Sequence, residues 1–304
     1  MDTRQKEELV GLAGEKIRFH CPMAEYTTFQ VGGAVEALYE AHDMEELKRL
    51  LVYLDRERIP YMALGRGSNV LVKDDGLEGI VIVFCGSLST IEEERTDDRS
   101  VLAGAGLSLV DLLNYCHRSA LGGLEFLSGI PGTVGGAVAM NAGAFGKETA
   151  ERVKEIHIVD KRGNLVVKNR PSELAFSYRK FHLEKGSVIV KARFRLIPDS
   201  KESIGEKIFE YLKRKKESQP LDYPSAGSVF KNPARDYAGR LIERVGLRGA
   251  KIGGAMISDK HGNYIINTGG AKAKDILDLV CLAQEVVKKE TGIQLELEIR
   301  VVGK

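Results

Sequence analysis

The chain has 304 residues, room for two or three domains that each bury a core, and its 43% hydrophobic and 29% charged content is that of a globular protein. A net charge of +2 excludes a global field that would recruit nucleic acid or an anionic membrane. No apolar run reaches the ~20 residues of a membrane helix, the opening MDTRQKEELV is too charged for a signal peptide, and the four spaced cysteines show no disulfide or metal-ligand rhythm, so a cytoplasmic chain without a metal is expected.

In chain order, residues 1–20 read as a short helix and a lead-in, and 37–39 as a strand. Asp43 then caps a helix with Glu46 three positions on. Leu47, Leu50, Leu51 and Leu54 form its apolar face, and Pro60 ends it. Strands at 61–64 and 79–84 complete a β-α-β unit. The acidic EEERTDDR within 91–101 reads as a solvated hairpin tip. Ser108 caps the next helix, with Asp111 as its partner and Leu112, Leu113 and Cys116 inward. KRGN joins strands 156–160 and 165–167 as a hairpin, 188–196 alternates like a half-exposed strand, and Pro198 marks a boundary. Beyond it, Ile204, Ile208, Tyr211 and Leu212 define an amphipathic helix whose basic end, KRKKE, reads as solvated. A second helix spans 275–289 and stops at Gly292, and a last strand covers 294–302. The elements describe an α+β protein, not the regular alternation of a doubly wound sheet.

Glycine is 33 of 304, and eight glycines fall between Gly122 and Gly146, where backbone must turn or approach a ligand. The Rossmann fingerprint is absent: Val70 and Leu109 stand where the third glycine belongs after Gly65-Arg66-Gly67 and Gly104-Ala105-Gly106. The P-loop fails too, since Glu148 follows Gly146-Lys147. Two other segments remain. LGRGSNVL (64–71) follows a strand and has the build of a phosphate nest, with Ser68 and Asn69 as added donors. SGIPGTVGGAVAMNAGAFG (128–146) combines a turn stiffened by Pro131, close backbone approach at Gly132, Gly135 and Gly136, and small alanines a flat ring system can lie against.

These two segments resemble the flavin-binding loops of the UDP-N-acetylenolpyruvoylglucosamine reductase family. The resemblance runs in order through TTFQVGG (27–33), GRGSN, the long glycine-rich segment, FSYR (176–179), PSAGSVFKNP (224–233), AGRLIE (238–243) and LELEIRVVG (295–303). It implies a FAD-binding module of the PCMH/VAO type in two subdomains, 1–84 and 85–198, followed by a smaller α+β substrate domain, 199–304, whose terminal strand returns to the first. It also implies that Gly65, Arg66, Gly67, Ser68 and Asn69 meet FAD, with Gly129, Ile130, Pro131, Gly132, Thr133, Gly135, Gly136, Asn141, Ala142 and Gly143. With no histidine or cysteine in either loop, the FAD is expected to be non-covalent.

The reaction implied is NADPH-dependent reduction of the enolpyruvyl ether of UDP-N-acetylglucosamine to UDP-N-acetylmuramate. Negative charge develops beside the substrate carboxylate, so a fixed cation and a positioned acid are needed. The resemblance assigns these roles to Arg179 and Ser228. It assigns a catalytic carboxylate to Glu298, because the family's acid directly precedes Ile299-Arg300. Strand alternation puts Glu296 on the same face as Glu298 and does not separate them. Tyr178, Lys231, Asn232 and Arg240 are the implied substrate contacts. Phe181 departs from the serine often found two residues after the arginine, Arg66 sits where the family varies, and the short spacing from Arg179 to Ser228 marks the subtype without the long insertion. Small molecules are the implied partners, with no obligate protein, nucleic acid or membrane. An oxidase of the same fold, or a nucleotide-binding module without catalysis, are the competing readings.

Overall fold

The computed structural model describes residues 1–92 and 99–304. The acidic stretch expected as a hairpin tip falls largely on 93–98, outside the described residues. On either side of it, Ile91–Glu92 and Ser100–Gly104 pair antiparallel. The chain forms two compact units, each assembled from separated segments: residues 1–19, 36–65 and 79–213, and residues 20–35, 66–78 and 214–304. Among the described residues no helix is long and apolar enough to cross a membrane.

The first unit holds two hydrophobic clusters. One gathers Leu47, Leu50, Leu51 and Leu54 of the helix Met44–Arg56 against Ile80 and Ile82. Asp43 caps that helix by accepting from the Glu45 and Glu46 N–H groups, as expected. The helix does not run to Pro60. It stops at Arg56, where Arg58 turns left-handed (φ 55°) and Ile59 N–H closes back onto Leu54 O at 2.9 Å. The strand Tyr61–Leu64 pairs parallel with Leu77–Phe84, in a sheet that also contains Ala34–Ala41 and Ile17–Pro22. Ile17–Pro22 is a strand the sequence reading treated as lead-in, after a helix (Thr3–Ala13) that ends at Gly14.

The second cluster lies around Val188–Arg195, the middle strand of a five-stranded sheet. Half-exposure was expected for this strand. From Val190 onward the alternation holds, with Val190, Ala192 and Phe194 buried, Lys191 and Arg193 half-buried and Arg195 exposed; only at the start, Val188–Val190, are both faces covered, Val188 and Val190 by one cluster and Ile189 by the other. Where two cores meet, at Val188–Val190, the strand is apolar on both sides. Val153–Val159 and Leu165–Lys168 form the expected hairpin, its turn held by Asp160 accepting from Arg162 and Asn164 N–H. The helix Lys201–Ser218 begins as expected with Ile204 buried, but Leu212 is exposed.

The second unit packs the helices Ala238–Arg244 and Ala273–Thr291 on a small antiparallel sheet, Lys251–Ile252, Ala255–Ile257 and Ile265–Asn267. Gly292, left-handed at φ 73°, ends the second helix as expected. Phe29, Val31 and Leu71 enter this core from far upstream. The expected strand 294–302 is shorter. Arg300–Val302 pairs parallel with Val70–Val72, and 294–299 forms an isolated bridge through Leu297.

Candidate active site

In the first unit the glycine-rich segment is shaped by neighbours that leave no room for side chains. Gly135 N–H donates to Ala105 O at 2.8 Å, and a Cβ there would sit 2.8 Å from the Ala105 Cβ. A Cβ on Gly65 would come 2.6 Å from the Thr133 hydroxyl, which itself caps the turn Val134–Ala139 by accepting from Gly136 N–H. Strand end and loop therefore approach backbone to side chain, and both must stay small. Asn141 is buried and left-handed, and its amide donates to Glu148 (2.8 Å) and the Ser177 carbonyl (3.1 Å) while accepting from Ala150 N–H (2.9 Å). Its side chain holds the loop's shape, so a cofactor contact at 141 falls to backbone. Gly129 and Pro131 are exposed, and Ile130, Gly132, Gly136, Ala142 and Gly143 half-buried.

Arg179 belongs to the same unit. It is not at a strand end but in the two-residue turn between Phe176–Ser177 and Lys180–Phe181, with φ 58°. A left-handed arginine costs roughly 1–2 kcal/mol against a relaxed backbone. Its Nη1 lies 3.0 Å from where a Cβ on Gly143 would stand, so the guanidinium reaches the end of the glycine-rich segment. The guanidinium carbon also sits 4.9 Å over the exposed Tyr178 ring. Phe181 does not face this cation. It is buried in the core against Phe176, ring centroids 4.9 Å apart.

In the second unit the GRGSN turn is held by the TTFQVGG segment. Thr28 N–H donates to Gly67 O at 3.3 Å, and Gly67, at φ 62°, has Tyr26 O where its Cβ would be, at 2.1 Å. Gly67→Ala is expected to cost roughly 2–3 kcal/mol through overpacking and backbone strain, read as a lowered denaturant midpoint at unchanged slope. Arg66 is exposed, and Ser68 and Asn69 half-buried. Asn69 ties this turn to the far end of the sequence: its amide donates to Glu298 O at 3.1 Å, and its carbonyl accepts from Arg300 N–H at 2.9 Å.

The same unit brings Ser228 and Glu298 to neighbouring backbones. Glu298 N–H donates to Val229 O at 2.8 Å, and Ile299 N–H reaches the same carbonyl at 3.4 Å. This shared acceptor breaks the alternation that would have put Glu296 and Glu298 on one face. Glu296 is exposed and pairs with Lys231 at 3.4 Å, while Glu298 is half-buried. Burial, with a smaller contribution from the charge of Glu298, pushes the Tyr264 phenol above its ordinary pKa. Tyr264 bridges Ser228 in turn. Asn263 staples the serine's strand by exchanging two hydrogen bonds with Phe230, 2.9 and 2.8 Å. Sequence reasoning missed Asn263 and Tyr264, since nothing in HGNYIIN marks them before the chain is folded. Of the other expected substrate contacts, Asn232 accepts from Ala238 N–H at 3.1 Å, and exposed Arg240 pairs with Asp236 at 2.7 Å.

Lys215 is a further correction. The basic helix end was read as solvated, yet Lys215 is 5% exposed, and burial pulls its ammonium down to about 8. The KRKKE run hid which lysine points inward. Because the folded value lies below the unfolded one, the charged form penalises the folded state, by roughly 3 kcal/mol below pH 8. Stability from this group is therefore expected to rise as pH climbs from about 8 towards the ordinary lysine range. Lys215→Met should flatten that part of a stability–pH curve.

Two hydroxyls test whether the loops fit a polar ligand. Ser128 Oγ, at the start of the glycine-rich segment, and Thr28 Oγ1, beside Gly67, are buried with no hydrogen-bond partner among the described residues. Buried hydroxyls are normally paired, so both suit loops that complete their bonding with a bound molecule.

Residues 20–168 match the family model described as FAD binding domain, and residues 219–302 the one described as UDP-N-acetylenolpyruvoylglucosamine reductase, C-terminal domain. The UDP-N-acetylenolpyruvoylglucosamine reductase of Syntrophus aciditrophicus (strain SB) is 43% identical over 300 residues, 98% of this chain and 96% of the relative. The chain belongs to the UDP-N-acetylenolpyruvoylglucosamine reductase family. Another reductase of the family, from Caldanaerobacter subterraneus subsp. tengcongensis, is 42% identical over 95% of this chain and 94% of its own. The crystal structure of the family's enzyme from Thermus caldophilus superposes with a TM-score of 0.81 at 40% identity, covering 94% of this chain and all of that one. The match extends over the residues of both units.

Proposed function

We propose that this protein is an FAD-dependent reductase that uses NADPH to convert the enolpyruvyl ether of UDP-N-acetylglucosamine into UDP-N-acetylmuramate, a step of peptidoglycan precursor synthesis in the bacterial cytoplasm. The observation that carries this reading is the presence in one chain of a FAD-binding domain and the reductase's own C-terminal domain, matched over nearly the whole length.

The residues offered to FAD are those of the two glycine-rich turns: Gly65, Arg66, Gly67, Ser68 and Asn69, and the stretch from Gly129 to Gly143. Their crowded glycines and the unpaired hydroxyls of Thr28 and Ser128 support this. Bound FAD supplies the hydride that NADPH provides. Arg179 meets the negative charge that grows beside the substrate carboxylate, a role suited to a cation charged at every working pH. Ser228 delivers the proton to carbon, and Glu298, half-buried, is the second acid–base group. Tyr178, Lys231, Asn232 and Arg240 position the substrate. The division into 1–84, 85–198 and 199–304 belongs to the same proposal; three hydrophobic clusters accompany it, with Phe29, Val31 and Leu71 joining the C-terminal one and Val159, Val188 and Val190 the N-terminal one.

The purified protein should be yellow, release its flavin on acid denaturation, and consume NADPH in step with added enolpyruvyl sugar nucleotide. A colourless protein that takes up no FAD would sink the reading. A yellow protein that reduces oxygen at a sugar's expense, without NADPH, would make it an oxidase.

A further inference from the structure

Away from the glycine-rich segments, the first unit gathers three metal-ligating side chains of different kinds. Glu40, His42 and Cys85 each offer one ligand atom, and these atoms all lie within 4.8 Å of one another. They stand at the ends of Ala34–Ala41 and Leu77–Phe84, neighbours in one sheet. Cys85 lies 43 positions after His42 and 45 after Glu40, which is why cysteine spacing alone gave no sign of a site.

The arrangement is held by backbone. Cys85 N–H donates to Ala41 O at 2.8 Å, and Ser87 bonds the His42 carbonyl through both N–H (3.1 Å) and hydroxyl (2.9 Å). Gly86 is left-handed at φ 50°, and a Cβ there would sit 3.2 Å from His42 Nδ1, so a glycine leaves the ring its place. The carboxylate is divided between two tasks. Glu40 Oε1 accepts from Arg18 Nη2 at 2.5 Å, while Oε2 faces His42 Nε2 at 3.6 Å. Ligands bonded at roughly 2.0–2.3 Å around a tetrahedral ion stand about 3.3–3.8 Å apart, so the nitrogen–oxygen pair already has that spacing and the sulfur needs only a small side-chain adjustment. Arg18 acts as the outer partner that fixes a ligating carboxylate. All three side chains are half-buried, sheltered yet reachable.

We infer that Glu40, His42 and Cys85 form a binding site for a zinc-class divalent ion, which ties the two strand ends together. One nitrogen, one oxygen and one sulfur donor suit zinc and disfavour calcium or magnesium, which take oxygen. As the metal–sulfur bond forms, the Cys85 thiol gives its proton to solvent and no electrons are transferred. Three protein donors leave a fourth position for water. This site is independent of the reductase chemistry.

Cobalt(II) titrated into the full-length protein reports it without any activity measurement. The expected result is a thiolate-to-cobalt charge-transfer band that saturates at one equivalent and is displaced by zinc. Cys85→Ser should abolish the band, and His42→Ala, at a 43% exposed ring whose loss leaves the core intact, should weaken zinc binding roughly 10–100-fold. Cys281→Ser, removing the exposed cysteine, should change neither. No charge-transfer band at one equivalent, a band that survives Cys85→Ser, or zinc affinity unchanged in His42→Ala would each overturn the assignment.

Discussion

Ser228→Ala is expected to leave reduction of the flavin by NADPH within a few-fold of the parent while slowing reoxidation by the enolpyruvyl substrate by roughly 10²–10⁴. The split follows from where the proton goes. Taking hydride from NADPH requires no acid at residue 228, whereas completing the lactyl ether requires one. The surroundings predict that the substitution is structurally quiet. The serine's backbone bridges Tyr264, its neighbour Val229 is anchored by Asn263 O and Glu298 N–H, and none of those bonds uses the hydroxyl. Stopped-flow absorbance of the two half-reactions separates the rates. Equal loss in both would show that residue 228 matters for flavin or fold and not for protonation.

Arg179→Gln should lower kcat by roughly 10²–10³, the scale on which removal of a single preorganised charge-stabilising group is felt. FAD content should be unchanged, because Asn141 closes the loop around Gly143 through its bonds to Glu148 and the Ser177 carbonyl. Arg179→Lys should recover only part of the rate: it keeps the charge and loses the planar fork. Backbone strain supplies a control. At φ 58°, Arg179→Gly should relax the turn and raise stability while abolishing the charge, so a rate that falls as stability rises isolates the cation's role. A kcat unchanged in Arg179→Gln would remove the residue from the chemistry.

Much of the site was legible as pattern because its demands are local. Glycines at Gly67 and Gly135 are required by atoms within a few ångströms, and such a requirement leaves a trace in the residue type. Helix ends were legible for the same reason: Asp43, Ser108 and Gly292 act on backbone three or four residues away. What escaped depends on distant partners. Glu296 and Glu298 separate only once two consecutive N–H groups share the Val229 carbonyl. Lys215 is distinguished from its basic neighbours only by the core it enters. Val188–Val190 is covered on both faces because two separate cores meet there, while the rest of that strand keeps the alternation its sequence shows. Among Glu40, His42 and Cys85, no spacing rule joins residues that meet only when two strands lie side by side.

The link from Asn69 to Glu298 spans 229 positions. At synthesis rates of about 5–20 residues per second, the partner of that turn emerges roughly 10–45 s after it. Through that interval Val70–Val72 has no mate in its sheet, and Phe29, Val31 and Leu71 lack the helices that cover them. The nascent chain thus carries an open strand edge and an apolar patch for far longer than local folding takes.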